Sequence, residues 1–402
     1  MKFKLSKIKK PNIHLPGKRG FLITFLALAV ISSLAYTSYY YAAKFNHDIS
    51  TLQKEKGEKE SRLDEVQRLY DELKNVDQLK RNEALQEEIE NIQKTYKTAV
   101  ITYEELLKLK EKTDKTEDYD ELFSKSLALL SERKFKEASE TLSELDNKID
   151  EETKKITASF TIPQNVAENN APPGAGYSRQ RVVTDAGTFM VSLIAADLGS
   201  TRVIVDTASD GDCGNECPVL PLATYVSRNG AFAGVNGSYF CPATYPTCAG
   251  KTNTFDLLVM NKNKTYFNSG NNVYSNNPAV IFGDNYVRFV TAASQWGRDT
   301  SPNGVLSNYP LLLFNGNITF GGDDDPKKGS KGARSFVANK GNTVYIGVVH
   351  SVTVAESARV MKALGMENAL NLDNGGSTAL WSGGYRVGPG RNLPNVILFV
   401  RK

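Results

Sequence analysis

From Phe21 to Ala43 the chain runs 23 residues without a charged side chain. As a helix rising about 1.5 Å per residue, this run reaches roughly 34 Å, enough to cross a hydrocarbon core of roughly 30 Å. The pattern predicts a transmembrane signal-anchor helix at 21–43. A cleaved signal peptide is the competing reading, with Ala27-Leu28-Ala29 as a superficial cleavage site, but its apolar region is normally about 7–15 residues. Tyr36, Tyr39, Tyr40 and Tyr41 gather at the far end of the run, where an aromatic belt meets the outer interface.

Beyond residue 44 the apolar positions thin out and recur at helical spacing. Leu85, Ile89, Ile92, Tyr96, Ala99, Tyr103 and Leu106 form a heptad seam, and Leu63, Val66, Tyr70 and Leu73 form a shorter one. The two registers do not join around Asp77 and Lys80, which predicts a stutter or break there. A coiled coil at about 60–112 is expected, closed by a second copy of the chain or by a helix of its own. A solvated single helix laced with i,i+4 ion pairs is the plainer alternative. Leu122, Phe123, Leu127 and Leu130, then Phe135, Ala138, Leu142, Leu145 and Ile149, predict a helical hairpin at 117–155. One hairpin cannot bury its apolar face alone, so it must dock on the stalk, on the following domain or on a second copy.

After a Pro-, Gly- and Asn-rich stretch at 158–177, read as a linker, the period changes from helix to strand. Short β-branched runs follow at 181–184, 188–195, 202–206, 232–236, 257–260, 279–282, 287–290, 311–314, 335–338, 343–349 and 396–400. Helices are expected at 219–228 and 353–364, the second ending at Gly365. The fold class is therefore an α+β C-terminal domain (178–402) with a mixed or antiparallel sheet. It is preceded by the anchor and by a helical stalk at 44–157.

Charge sharpens this layout. The 402 residues carry a formal net charge of +4, but the charges are sorted. Residues 1–20 hold seven Lys or Arg and no acid, residues 44–157 are net −7, and residues 158–402 are net +4. A basic tail at 1–20 predicts a cytoplasmic N-terminus and an extracytoplasmic C-terminal domain on a single-pass cell-membrane protein. Neither block points to nucleic acid. Cys213, Cys217, Cys241 and Cys248 then lie in an oxidising setting, where disulfides are favoured over zinc. Three pairings are open, and the two local loops, 213–217 and 241–248, are the preferred one.

Two strings carry candidate chemistry: Gly234-Val235-Asn236-Gly237-Ser238-Tyr239-Phe240, and Ala369-Leu370-Asn371-Leu372-Asp373-Asn374-Gly375-Gly376-Ser377-Thr378. Successive backbone N–H groups in such turns can cradle an anion, and an aspartate at a strand end can act as acid, base or metal ligand. Each string alone is ordinary hairpin chemistry. In order with Arg334-Ser335-Phe336, the strand at 343–350, the helix bearing Glu356, Ala363-Leu364-Gly365 and Arg391-Asn392-Leu393-Pro394-Asn395, they resemble the phosphodiester glycosidase family over roughly 230–400. The chain departs from it in two places. Asn374 replaces a usual glycine, and His350-Ser351 stands where many members have Asp-Gly.

The resemblance implies hydrolysis of a sugar-1-phosphodiester in a cell-surface glycan or phosphate-containing polymer. Such chemistry needs a carboxyl pair or its equivalent, with cationic or N–H donors for the phosphate. The candidates are Asp373 and Glu356 as carboxylates and His350 as a proton shuttle. Arg334 and Arg391 are candidate phosphate clamps, and Asn236, Gly237, Asn374, Gly375, Gly376 and Ser377 are candidate donors. The pattern names no definite cofactor; a divalent cation such as calcium could sit at Asp323-Asp324-Asp325, for which a solvated loop is the plainer reading. The alternative is a non-catalytic glycan- or phosphate-polymer-binding module on a membrane-anchored stalk. A third reading makes the helical region an oligomeric scaffold.

Overall fold

The computed structural model describes residues 18–74, 76–268, 275–297 and 299–402. The basic residues Lys2, Lys4, Lys7, Lys9 and Lys10 of the expected cytoplasmic tail lie outside the described residues. The described chain divides into two compact units, one up to Glu90 and one from Asn91 onward.

The first unit is helical. Helix α1 spans Lys18–Lys74, and helix α2, Asp77–Lys110, begins here. One helix segment, within Phe25–Lys74, is long and apolar enough to cross a membrane. Its side chains Phe25, Leu28, Ile31 and Leu34 are exposed. So are Leu63, Val66, Tyr70, Leu73, Leu85 and Ile89 of the heptad seams.

The second unit begins with the latter part of α2, which packs on helices α3 (Glu117–Ser131) and α4 (Phe135–Ser159). Ala99 joins Leu130, Ala138 and Leu142 in one buried cluster. Leu106 and Leu109 join Leu145 and Ile149 in another. The Tyr103 ring stacks on Phe123 with centroids 5.0 Å apart. The hairpin thus finds its partner inside its own chain, and the lower half of the long heptad seam is spent on it. The stretch expected to be a linker is also packed. Val166 is buried, Asn169 N–H donates to the Arg181 carbonyl, and the Asn170 amide exchanges hydrogen bonds with Val183. Its residues Ala167 to Asn170 build an edge along the first strand rather than a free tether.

Among the described residues, the C-terminal domain holds three antiparallel sheets. The seven-stranded sheet runs, in spatial order, Gly176–Thr184, Gly187–Asp197, Thr343–Val352, Gly332–Lys340, Asn368–Asn374, Leu311–Phe314 and Asn317–Ile318. The second sheet orders Tyr385–Val387, Leu380–Ser382, Ala233–Asn236, Asn395–Arg401 and Thr201–Thr207. A third sheet forms between residues 259 and 307. Central strands are covered on both faces, which explains continuous apolar runs such as Leu193-Ile194-Ala195-Ala196. Ile194, Val337, Leu370 and Leu372 face the core between the sheets. Val191, Phe336 and Ala369 face the helix Val354–Ala363.

The helices α5 (Leu222–Arg228), α6 (Pro326–Gly329) and α7 (Val354–Ala363) punctuate the domain. Helix α5 starts later than the run from 219 suggested, because Pro221 sits in extended backbone as its N-cap. Helix α7 opens with a capping box between Thr353 and Glu356, and Gly365 follows its end at φ +69°. The cysteines pair locally, Cys213 with Cys217 and Cys241 with Cys248.

Candidate active site

Asp373 lies one residue before the end of the strand Asn368–Asn374, where the apolar run Ala369 to Leu372 anchors it between two cores. Its carboxylate is buried, accepts the Asn374 N–H at 2.8 Å and is hydrogen-bonded by Ser377. Burial pushes its pKa up to about 6, against the pull of Ser377, Arg391 and the Asn374 N–H, with Glu111 adding to the rise.

The turn after it takes its left-handed backbone at Gly375, φ +61°. Asn374 itself is extended (φ −127°), so replacing the usual glycine there costs the turn nothing. The Asn374 side chain is spent within the protein. Its oxygen accepts the Ser335 N–H at 3.0 Å and its amide donates to Asn371 and the Tyr239 hydroxyl. Arg391 N–H donates to the Gly376 carbonyl at 2.7 Å, which sets the guanidinium beside the turn. There it lies over the Tyr245 ring, 5.3 Å from the centroid. Burial alone lowers the Arg391 pKa, but Glu111, Tyr245 and Asp373 outweigh it and hold the group charged.

Glu111 is the unexpected member. Its carboxylate accepts a hydrogen bond from Arg391 Nη2, and a Cβ built on Gly376 would collide with it. Lys112 follows, with its pKa lowered by burial and by the charge of Arg334. Residues of the helical region therefore reach the site, where the sequence reading placed no chemistry. Glu104 and Glu111 are seven residues apart and share one helix face, but the many acids of the stalk hide that pairing.

The other expected residues hold varied positions. Asn236 is fully buried. Its oxygen accepts from Ser335 Oγ at 2.7 Å and Ala379 N–H at 3.1 Å, and its amide donates to the Asp373 carbonyl at 2.8 Å. Gly237 donates to the Asn395 carbonyl and accepts from Asp373 N–H, and a Cβ there would meet the Asn395 side chain. Both residues fix the strand end that carries Asp373, and their backbone N–H groups are already donated within the protein, to the Ala379 and Asn395 carbonyls. Arg334 donates to the carbonyls of Val352, Lys327 and Ser330, and so straps down α6 while its charge faces Tyr239 and Lys112. Burial, then the charge of Asp373, raises the Tyr239 pKa.

Glu356 closes the α7 capping box at 2.8 Å to Thr353 N–H and pairs with Lys331 at 3.2 Å. His350 is hydrogen-bonded to Ser192 at 3.0 Å and stacked on Phe160. Burial, then Arg179, lowers its pKa to about 4, so it is neutral near pH 7. The partners of these two side chains are not those of Asp373. The adjoining Ser351 takes φ +55°, a conformation suited to the glycine usual there.

Among the described residues, no group of three or more His, Cys, Asp or Glu is placed to hold a metal ion. Asp323 and Asp325 pair with Lys328, and Asp325 caps α6.

Residues 229–400 match the phosphodiester glycosidase family. No curated protein matches the chain. Among solved structures, it is similar to the zebrafish N-acetylglucosamine-1-phosphodiester alpha-N-acetylglucosaminidase catalytic domain auto-inhibited by pro-peptide, with 17% identity and a TM-score of 0.44, over 60% of this chain and 87% of that one. It is also similar to a hypothetical protein from Synechocystis, with 15% identity and a TM-score of 0.39 over 56% of this chain. The match spans 62% of that protein's length. A protein of Burkholderia pseudomallei gives 12% identity and a TM-score of 0.35, over 53% of this chain and 74% of that one.

Proposed function

We propose that the C-terminal domain, which carries the phosphodiester glycosidase pattern over residues 229–400, hydrolyses a sugar-1-phosphodiester at Asp373. The observation that carries this reading is a buried carboxyl at a strand end, next to a glycine turn and a charged arginine. Arg391 and the turn hold the phosphate. Asp373, ionised above its pKa of about 6, takes a proton from water as the water oxygen bonds to the anomeric carbon. The bond from that carbon to the phosphate oxygen breaks, and its electron pair leaves on the phosphate. A phosphate oxygen is a stable anion, so its departure needs no proton donor, and the site can work with one carboxylate at the reacting centre.

The N-terminal helix anchors this hydrolase in the membrane and its paired cysteines suit an extracytoplasmic position. The substrate then belongs to a cell-surface glycan or phosphate-containing polymer.

The engagement of Glu356 in a helix cap and of His350 with Ser192 favours a second reading, a non-catalytic polymer-binding module. Incubation of the purified full chain with a sugar-1-phosphodiester separates the two. Release of free sugar, lost in Asp373→Asn, supports the hydrolase. Saturable binding without released sugar supports the module.

A further inference from the structure

Helix α2 is pinned to the site-bearing domain at two points on one face. Glu104 is 7% exposed and accepts hydrogen bonds from the Thr247 N–H, at 3.0 Å, and from its hydroxyl. Thr247 lies in the loop closed by Cys241 and Cys248, which also carries Tyr245 of the Arg391 contact. Seven residues further on, Glu111 continues the helix for one residue past Lys110, its N–H donating to the Leu107 carbonyl at 3.2 Å. Its carboxylate then rests on Arg391 and on the backbone of Gly376.

An anion seated on a glycine turn beside an arginine is the arrangement a phosphate group would take there. We infer that Glu111 occupies the place of the substrate's phosphodiester, so that the corner after α2 carries a built-in anionic competitor. The inference rests on the proposed reading of this turn as the phosphate cradle, though not on hydrolysis occurring. Two anions cannot share Arg391 Nη2 and the space over Gly376. In a partly buried site their repulsion is several times what it is in water. An incoming phosphate must therefore displace the carboxylate. Neutralising Glu111 removes the competitor while Arg391, Arg334 and Lys112 stay in place to attract the anion.

The test is calorimetric titration of inorganic phosphate into the full chain in detergent, comparing wild type, Glu111→Gln, Glu104→Gln and Glu111→Gln/Arg391→Gln. The expected result is roughly tenfold tighter phosphate binding by Glu111→Gln, a gain that the added Arg391→Gln abolishes. Glu104→Gln loosens the same helix while leaving Arg391, Gly376 and Glu111 themselves unaltered, and should leave the affinity near that of wild type. Unchanged or weaker binding by Glu111→Gln overturns the inference, as does an equal gain in Glu104→Gln. Absence of phosphate binding in all four proteins overturns both the inference and the cradle beneath it. Failure of the glycosidase reading looks different: Glu111→Gln gains phosphate affinity, yet no protein releases sugar.

Discussion

Glu111 accepts a hydrogen bond from Arg391, although 280 residues separate them in the chain. The guanidinium is thereby held charged beside Asp373 and over Tyr245. A phosphate on this arginine gains a charge-assisted hydrogen bond worth about 1.5–3 kcal/mol. Arg391→Gln is therefore expected to raise KM for a sugar-1-phosphodiester roughly 10- to 100-fold, with a smaller effect on kcat. An unchanged KM would remove Arg391 from phosphate binding.

Asp373 is costly to the fold at neutral pH. Its folded pKa of about 6 stands above the ordinary carboxylate value, so the folded state binds the extra proton. The stability this proton brings is full below about pH 4 and lost as pH rises through about 6, amounting to about 3 kcal/mol. Asp373→Asn keeps an acceptor for Ser377 and the Asn374 N–H without the charge. Denaturant unfolding at pH 7.5 should show a more stable variant, by about 2 kcal/mol. A less stable one would mean that the carboxylate is held by partners that prefer it ionised.

His350 works in the opposite sense over an overlapping window. Its folded pKa of about 4 lies below the ordinary imidazole value, so its contribution is present above about pH 6.5 and lost as pH falls through about 4. In the wild type the two groups offset one another between about pH 4 and 6. Removing Asp373 exposes the histidine: Asp373→Asn should lose roughly 2 kcal/mol between pH 6.5 and 4, and His350→Gln should gain stability on the same acidification. Parallel pH profiles of the three proteins would show that these groups do not set the dependence.

Asn236 ties three strands together at the floor of the site. Asn236→Ala leaves Ser335 Oγ, the Ala379 N–H and the Asp373 carbonyl without this partner. At 1–3 kcal/mol for each buried polar group left unpaired, partial relaxation brings the expected cost to about 3 kcal/mol. Thermal melts should therefore fall sharply. A variant with wild-type stability but raised KM would instead assign Asn236 to the substrate.

Local patterns revealed what local physics determines. The apolar run into Asp373 and the glycines after it were readable because strand, acid and left-handed turn are neighbours in sequence. The antiparallel sheets followed from the short β-branched runs and their turns. Glu356 was legible in a different sense: Thr353-Val354-Ala355-Glu356 is a capping-box pattern, and the structure uses it as one. Asn236 looked like a free donor because its three partners, Ser335, Asp373 and Ala379, are distant in sequence. Glu111 was hidden most completely, since only folding brings the end of α2 against Gly376 and Arg391. The helical hairpin and the packed 158–177 stretch were likewise settled by tertiary partners, Ala99 and Leu106 for the first and Arg181 and Val183 for the second.

The central claim is that Asp373 carries a hydrolysis at the anomeric carbon. It is tested most directly by kcat/KM for sugar release from a sugar-1-phosphodiester, measured between pH 4.5 and 8 in Glu111→Gln and in Glu111→Gln/Asp373→Asn, with the competing carboxylate neutralised in both. The account predicts a rate that rises with pH through the titration of Asp373, which the loss of Glu111 sets below its wild-type pKa of about 6, to a plateau in the first protein, and that falls at least 100-fold in the second. Equal rates in the two proteins would contradict it.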